Sequence, residues 1–156
     1  MASRTTTAAT DALVVAKLTV PVQRTGSVVR TALLTRLLAA EHQPVVSVSA
    51  PGGYGKTTLL AQWASRDARP FAWVAVDADD NDSVLLGRCV EDALRRAGVV
   101  GAPRNRRPVD TLGAAEILTR LRRLVATASR PFVLVLDDVH ELSSDESERL
   151  LGALAR

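Results

Sequence analysis

The sequence predicts an α/β fold, a parallel sheet flanked by helices, and three observations carry that expectation. Apolar, β-branched stretches alternate along the chain with segments of helical period, the order in which strand and helix units build a parallel sheet. Residues 131–136 read Pro-Phe-Val-Leu-Val-Leu without polar alternation, the pattern of a strand buried on both faces and so central in such a sheet. The available core is aliphatic, since 47% of the 156 residues are hydrophobic and only 3% aromatic. Ala, Val and Leu are what parallel strands and their covering helices use.

A chain of this length supports a single core. Residues 1–13 have no periodicity and are expected to be a disordered tail, leaving 14–156 as the folded unit. Residues 17–25, with Pro21 among them, read as an extended lead-in. From Ser27, the spacing of Val28, Val29, Ala32, Leu33, Leu37 and Leu38 predicts a helix of about three turns with Arg30 near its start. Val45, Val46 and Val48 make residues 45–49 a strand, and a helix over 56–65 follows with Leu59, Leu60 and Trp63 on one side. Pro70 separates that helix from a strand at 71–76.

The acidic run of Asp77, Asp79, Asp80 and Asp82 invites a metal reading. An EF-hand loop would need Gly and Glu where this chain has Asp82 and Arg88, so a turn that caps the next helix accounts for the run better. That helix, over 83–97, gathers Leu85, Leu86, Cys89, Val90, Ala93, Leu94 and Ala97 on one face and stops at Gly98. Cys89 is the single cysteine and reads as a small buried hydrophobe rather than a nucleophile. Gly101, Pro103 and Pro108 mark a loop, in which Arg104, Arg106 and Arg107 read as solvated. Asp110 or Thr111 then caps a helix to about residue 128, buried through Leu112, Ala115, Leu118, Leu121 and Val125, with Arg120, Arg122 and Arg123 largely on its outer side. Ser143 and Glu146 have capping-box spacing and start a last helix with Leu150, Leu151 and Leu154.

The net charge of +3 comes almost wholly from arginine, the lysines being Lys17 and Lys56. The basic residues are spread along the chain without interleaved aromatics, which argues against a nucleic-acid footprint. No stretch reaches the roughly 18 apolar residues that span a bilayer, and the N-terminus lacks a secretory apolar core. A cytoplasmic setting is expected.

The chemistry centres on residues 50–58, Ala50-Pro51-Gly52-Gly53-Tyr54-Gly55-Lys56-Thr57-Thr58, placed between a predicted strand and a predicted helix. They fit the phosphate-loop pattern G-x-x-x-x-G-K-[ST] with Ala50 in the first position. Gly52, Gly53 and Gly55 can take positive φ and let the backbone approach an anion. The first amides of the helix would face a phosphate. Lys56 would reach the β- and γ-phosphate oxygens, and the Thr57 hydroxyl would bind Mg²⁺. The bland alternative is a glycine-rich turn with an incidental lysine.

Farther along, the apolar run at 132–136 ends in Asp137-Asp138, the form of a Walker B strand. Open α/β sheets bind ligands at the C-terminal ends of their strands, so both elements would deliver their residues to one edge. Asp137 would hold Mg²⁺ opposite Thr57, and Asp138 would act as general base. Two turn-forming surface carboxylates are the competing explanation. His140 is read as structural, and His42 carries no signal.

Residues 50–63 (APGGYGKTTLLAQW), 71–82 (FAWVAVDADDND) and 134–142 (LVLDDVHEL), with the lead-in at 17–37, resemble the N-terminal ATPase region of the large LuxR-family transcriptional regulators of the maltose-activator type, within the STAND class of P-loop NTPases. The resemblance covers about residues 17–142. It implies a P-loop NTPase-type sheet, ATP or ADP with Mg²⁺ as ligand, and a switch in which slow hydrolysis resets an oligomerising ATP state. It also implies that the segment Val28-Val29-Arg30 lies by the nucleotide, with Arg30 on the phosphate or adenine side. In such proteins a sensor strand, helical domains and a DNA-binding helix-turn-helix follow. None of these fits in what remains after Asp138. The expectation is therefore an incomplete sheet with the first three core strands and no sensor strand, a truncated regulator or gene fragment without a DNA-binding element or membrane partner.

Nucleotide binding, and self-association or association with a full-length regulator, are then expected. ATP hydrolysis is expected of the complete domain rather than of this segment. Two other readings stay open: a small P-loop kinase using the loop at 104–107 as its lid, and a non-enzymatic remnant that binds nucleotide weakly.

Overall fold

The computed structural model describes residues 15–101 and 113–154. The expected N-terminal tail, the loop bearing Arg104, Arg106 and Arg107, and the caps Asp110 and Thr111 lie outside the described residues. Helix α1 (Thr31–Ala39) begins with Arg30 in the N-cap position. Helix α2 (Lys56–Ala64) follows the glycine-rich loop, and strand β1 (Phe71–Ala75) follows it in turn. Helix α3 (Ser83–Arg96), helix α4 (Ala114–Ala126), strand β2 (Val133–Asp137) and helix α5 (Asp145–Leu154) complete the order.

The strands pair in parallel, from Phe71 opposite Val133 to Ala75 opposite Asp137. The α/β class with a helix-flanked parallel sheet is as the sequence predicts. The strand count differs, because the described sheet has two strands. Residues 45–49, expected as the strand entering the loop, form no ladder. Val45 and Val46 are exposed, and only Val48 packs inward. Strand propensity is not enough without a neighbouring strand to take the backbone hydrogen bonds. For the same reason β2 is not a central strand: β1 is its one described partner, and only Val135 and Asp137 of its residues are buried.

Successive strand residues face opposite sides, and the sheet separates two apolar clusters. Ala72, Val74 and Val76 lie with Leu86, Val90 and Leu94 of α3, Ile117 and Leu121 of α4, and Leu150 of α5. On the other side, Phe71 and Val133 meet Leu34 and Leu37 of α1 and Leu59 and Trp63 of α2, with Val48 beside them. Helices α3 and α4 approach so closely that a Cβ on Gly87 would lie 2.4 Å from Ile117 Cγ1. Arg120 and Arg122, expected on the outer side of α4, reach back inward. Arg120 pairs with the buried Glu91 of α3 at 2.7 Å, where Arg95 also binds, and Arg122 Nη2 donates to Ala153 O at 3.2 Å.

The acidic run after β1 forms caps. Asp77 caps a 3-10 turn (Ala78–Asn81), accepting from Asp79 N at 3.1 Å, while Asp77 N donates to Asp80 Oδ2 at 2.9 Å. Asp82 Oδ1 then accepts from Val84 N and Leu85 N at the start of α3. Burial pushes the Cys89 thiol up to about 11, with the Asp80 carboxylate adding to the effect, so it stays protonated as a packing residue. At α5 the cap is Ser144 rather than Ser143: its carbonyl accepts from Glu148 N at 3.0 Å and its hydroxyl from Ser147 N at 3.5 Å. Ser143 N and Ser144 N are instead both taken by Asn81 Oδ1.

The turn from α2 into β1 is clamped by Asp67. Arg69 Nη2 and Trp63 Nε1 donate to Asp67 Oδ2 at 2.7 and 3.0 Å, and the Arg69 guanidinium lies 5.8 Å from the Trp63 ring centroid. The hydrogen bond from Arg69 lowers the Asp67 carboxyl to about 2. Because its folded value is depressed, Asp67 contributes stability above the ordinary carboxylate range, and loses it as pH falls through about 2. Asp67→Asn is expected to cost on the order of 1 kcal/mol near pH 7 and much less near pH 2, as read from urea unfolding midpoints at the two pH values.

Candidate functional site

Loop residues 50–58 end at the N-terminus of α2, and their backbone explains why glycine is needed at only some positions. Gly53 has φ +76° and Gly55 φ +74°, and Gly55 occupies the left-handed N-cap of α2. Gly52 is not among the residues at positive φ, contrary to expectation. Space does not demand glycine at Gly55, since a Cβ there would lie in ordinary contact, 3.7 Å from Arg30 Nη2 and 3.9 Å from Thr58 Cβ, so the backbone conformation alone sets the requirement.

The loop's donors are arranged for an anion. Leu59 N is the first α2 amide to find a helical acceptor, Gly55 O at 3.0 Å. Among the described residues the amides of Gly55, Lys56, Thr57 and Thr58 have no protein acceptor, and no side chain caps them. Such unpaired first-turn N–H groups carry the positive end of the helix dipole. Lys56 folds back over the loop, its Nζ donating to Ala50 O at 3.0 Å and Pro51 O at 3.4 Å. An ammonium has three donors, so one remains. Ala50 thus contributes a carbonyl, for which an alanine serves as well as a glycine.

Beside the loop lies a cavity of about 210 Å³ lined by Val28, Arg30, Gly55, Thr58, Leu59 and Gln62, among others. The structure therefore brings Arg30 to Gly55 and Thr58. Ala50, Lys56, Thr57 and Thr58 are half-buried, whereas Gly52, Gly53 and Tyr54 are exposed. Gln62 escaped the sequence reading, whereas Val28 belongs to the segment that the resemblance implies beside the nucleotide. A signal for Gln62 was present: it shares the apolar face of α2 with Leu59 and Trp63 yet is a polar residue, buried to 1% exposure.

Asp137 closes β2 on the sheet face of Trp73 and Val135, the side of α1 and α2. It is 4% exposed, and its Oδ1 accepts from Asp138 N at 3.2 Å. Asp138 follows in left-handed conformation at φ 59°, the one described non-glycine residue at positive φ. Its carboxylate is about half exposed, with His140 Nδ1 at 3.9 Å. His140 is itself exposed, so it does not serve as a packing residue. Among the described residues no hydrogen bond or ion pair joins Asp137 or Asp138 to Lys56 or Thr57. Asp137 lies on the sheet face of α1 and α2, and among the described residues no polar bond joins it to the loop.

The sequence profile of the AAA ATPase domain matches residues 28–156, most of the chain and all of the loop, α2 and β2. The chain belongs to the AAA ATPase domain family. This AAA domain is also similar to curated proteins named HTH-type transcriptional regulator MalT. It is 31% identical over 136 residues to those of Yersinia pestis (strain Pestoides F) and Yersinia pseudotuberculosis serotype O:1b (strain IP 31758), covering 85% of this chain and 15% of each relative. The MalT of Klebsiella pneumoniae subsp. pneumoniae is 30% identical over 135 residues with the same coverage. The resemblance to LuxR-family, STAND-type regulators is thus shown, while the chain spans 15% of the length of these relatives. Among the described residues no helix of the AAA domain is long and apolar enough to cross a membrane.

The loop geometry separates the glycines. Gly53→Ala and Gly55→Ala are each expected to cost about 1–2 kcal/mol, the penalty of a Cβ in left-handed backbone. Gly52→Ala is expected to stay within about 0.5 kcal/mol of wild type. Chemical unfolding of the three variants measures the contrast.

Proposed function

We propose that this AAA ATPase domain binds a nucleoside triphosphate, ATP, with its phosphates in the loop at residues 50–58. The observation that carries the reading is the set of unpaired amides from Gly55 to Thr58 at the start of α2, beneath the Lys56 ammonium. Backbone N–H groups at a helix N-terminus and an adjacent lysine are a donor set for phosphate oxygens. The left-handed glycines keep side chains out of the space that the anion would fill.

In this reading Lys56 spends two donors on its own loop's carbonyls and gives the third to a phosphate oxygen, so the charge is held in place before the ligand arrives. Tyr54, Thr57 and Thr58 complete the phosphate wall, and Arg30 approaches from the α1 side. The donor set fits Mg²⁺ as well. The Thr57 hydroxyl and the Asp137 carboxylate are hard oxygen ligands, and the ion, when bound, would neutralise phosphate charge. Asp138, partly solvated, is suited to accept a proton from an attacking water. Within a longer regulator the same site would serve as an ATP/ADP switch with slow hydrolysis, and self-association would belong to its ATP state.

A fluorescent ATP analogue with Mg²⁺ tests the reading. Binding by the wild-type chain that falls at least about tenfold in Lys56→Ala is expected, given what a charge-assisted phosphate contact contributes. Equal affinity in the two proteins would overturn it. Asp138→Asn is expected to keep the binding while lowering any ATP hydrolysis by about 10² or more, the usual scale of a general-base contribution, as read by phosphate release.

A further inference from the structure

The exit of β2 is gripped by a side chain from the turn that follows β1. Asn81 closes that 3-10 turn, and both ends of its amide are in use: Nδ2 donates to Ala78 O and Glu141 O, each at 3.1 Å, while Oδ1 accepts from Ser143 N at 2.6 Å and Ser144 N at 2.8 Å. Two donors and two acceptor lone pairs are all that a carboxamide offers. Closing the turn does not require this. Asp77 and Asp80 already bond its ends to each other, so what Asn81 adds is the hold on residues 141–144.

At the near end of the same stretch, Val76 N donates to Asp137 O at 2.9 Å and continues the pairing of the strands. Residues 138–140 therefore bridge two fixed points. Over that span the chain turns sharply, with Asp138 left-handed at φ 59° and the 3-10 turn Val139–Glu141 directly after it. Such backbone is costly for a residue other than glycine and persists where its surroundings over-determine it. With β2 fixed by its ladder, the clamp on 141–144 is the second constraint.

The left-handed residue reaches back to its neighbour. The Asp138 amide donates to Asp137 Oδ1 at 3.2 Å, whereas among the described residues Asp137 Oδ2 has no hydrogen-bond or ion-pair partner, although Asp137 is 4% exposed. One carboxylate oxygen is tied and the other is open. Hydrogen bonds of this kind fix the orientation of metal-ligating groups and are felt in metal affinity.

We infer that Asn81 is a positioning residue for Asp137: by clamping the exit of β2 it holds Asp138 left-handed, so that the Asp138 amide binds Asp137 Oδ1 and keeps Oδ2 free for a divalent cation accompanying the nucleotide. The inference rests on the reading that gives Asp137 to Mg²⁺. Its physical content is preorganisation. Without the clamp, the exit relaxes towards ordinary backbone, the amide leaves Oδ1, and the carboxylate must be oriented by the cation itself. The phosphate loop, held by its own bonds, is not touched.

Titration of a fluorescent ATP analogue, once with Mg²⁺ and once with EDTA, reads the metal-dependent part of binding as the ratio of the two affinities. Asn81→Ala is expected to lower that ratio about tenfold while affinity in EDTA stays within about twofold of wild type, since outer-shell partners act on the metal. Asn81→Asp keeps the acceptor for Ser143 and Ser144 and loses the donor to Ala78 and Glu141. Its added negative charge would by itself favour a cation, so the expected fall of about threefold, the scale of a lost hydrogen bond, reads the weakened clamp. Ser147→Ala frees the same turn from α5, by removing the hydroxyl that donates to Asp80 O at 2.8 Å, and is expected to leave the ratio unchanged. An unchanged ratio in Asn81→Ala, or in Asn81→Asp should circular dichroism show the alanine variant unfolded, would overturn the inference. So would an equal loss in EDTA, or the same fall in Ser147→Ala. A wild-type chain that binds the analogue equally with Mg²⁺ and with EDTA would instead overturn the Mg²⁺ reading of Asp137, and no binding at all would overturn the phosphate-loop reading, each taking this inference with it.

Discussion

A single buried carboxylate ties the chain together. Asp80 is 1% exposed, and a charge so placed is tolerated only with partners around it. Lys17 supplies one, its Nζ 2.7 Å from Asp80 Oδ2 and 2.8 Å from Asp77 Oδ2. Burial pulls the Lys17 ammonium down, and its hydrogen bonds to Asp77 and Asp80 more than offset this, so its pKa ends raised. The same turn holds α5, because Ser147 Oγ donates to Asp80 O at 2.8 Å, and it holds the segment after β2, because Asn81 Nδ2 donates to Glu141 O at 3.1 Å. The lead-in, the end of β1, the start of α3 and the exit from β2 therefore meet at one short acidic turn. Local capping explains each residue singly, but the convergence makes the turn a structural hub.

The two sides of the sheet are built differently. The side of α3, α4 and α5 holds a large aliphatic cluster with a buried Glu91 between two helices, bound by Arg95 and Arg120. The side of α1 and α2 has a small cluster, centred on Leu34, Leu37, Leu59 and Trp63, beside the phosphate loop. There the attachments are side chain to backbone: Gln62 to Val28, Gln23 to Ala61, Lys56 to Ala50. Segments fastened in this way open at lower free energy than a packed core does. The candidate site thus sits on the more adaptable side, while the larger cluster keeps β1 and β2, and with them Asp137, in place.

Most elements were legible because their information is local. The period of 83–97 gives α3 almost to the residue, and the apolar runs give β1 and β2. The loop is readable because glycine and lysine at fixed spacing have few other uses before a helix. Residues 45–49 fail for a physical reason: a strand is completed by its neighbour, and alternation cannot say whether one is present. The spacing of Ser143 to Glu146 points one residue too early because Asn81, on a distant turn, takes the amides of both Ser143 and Ser144. Arg120 was placed outside because helical period does not reveal a buried Glu91 on another helix. Gln62 and Lys17 share that cause, since what matters about each is a partner far away in sequence.

The backbone at Asp138 bears on which acid can stand there. Left-handed φ is tolerated by asparagine and aspartate, whose short side chains can bond to nearby backbone, and costs longer side chains more. Asp138 is held at φ 59° immediately before the 3-10 turn that carries His140. Glutamate has the same carboxylate and nearly the same acidity, but its longer side chain populates left-handed backbone less readily. The selection of aspartate at this position thus follows from the sharp exit of the chain from β2, and chemistry alone would not discriminate between the two acids.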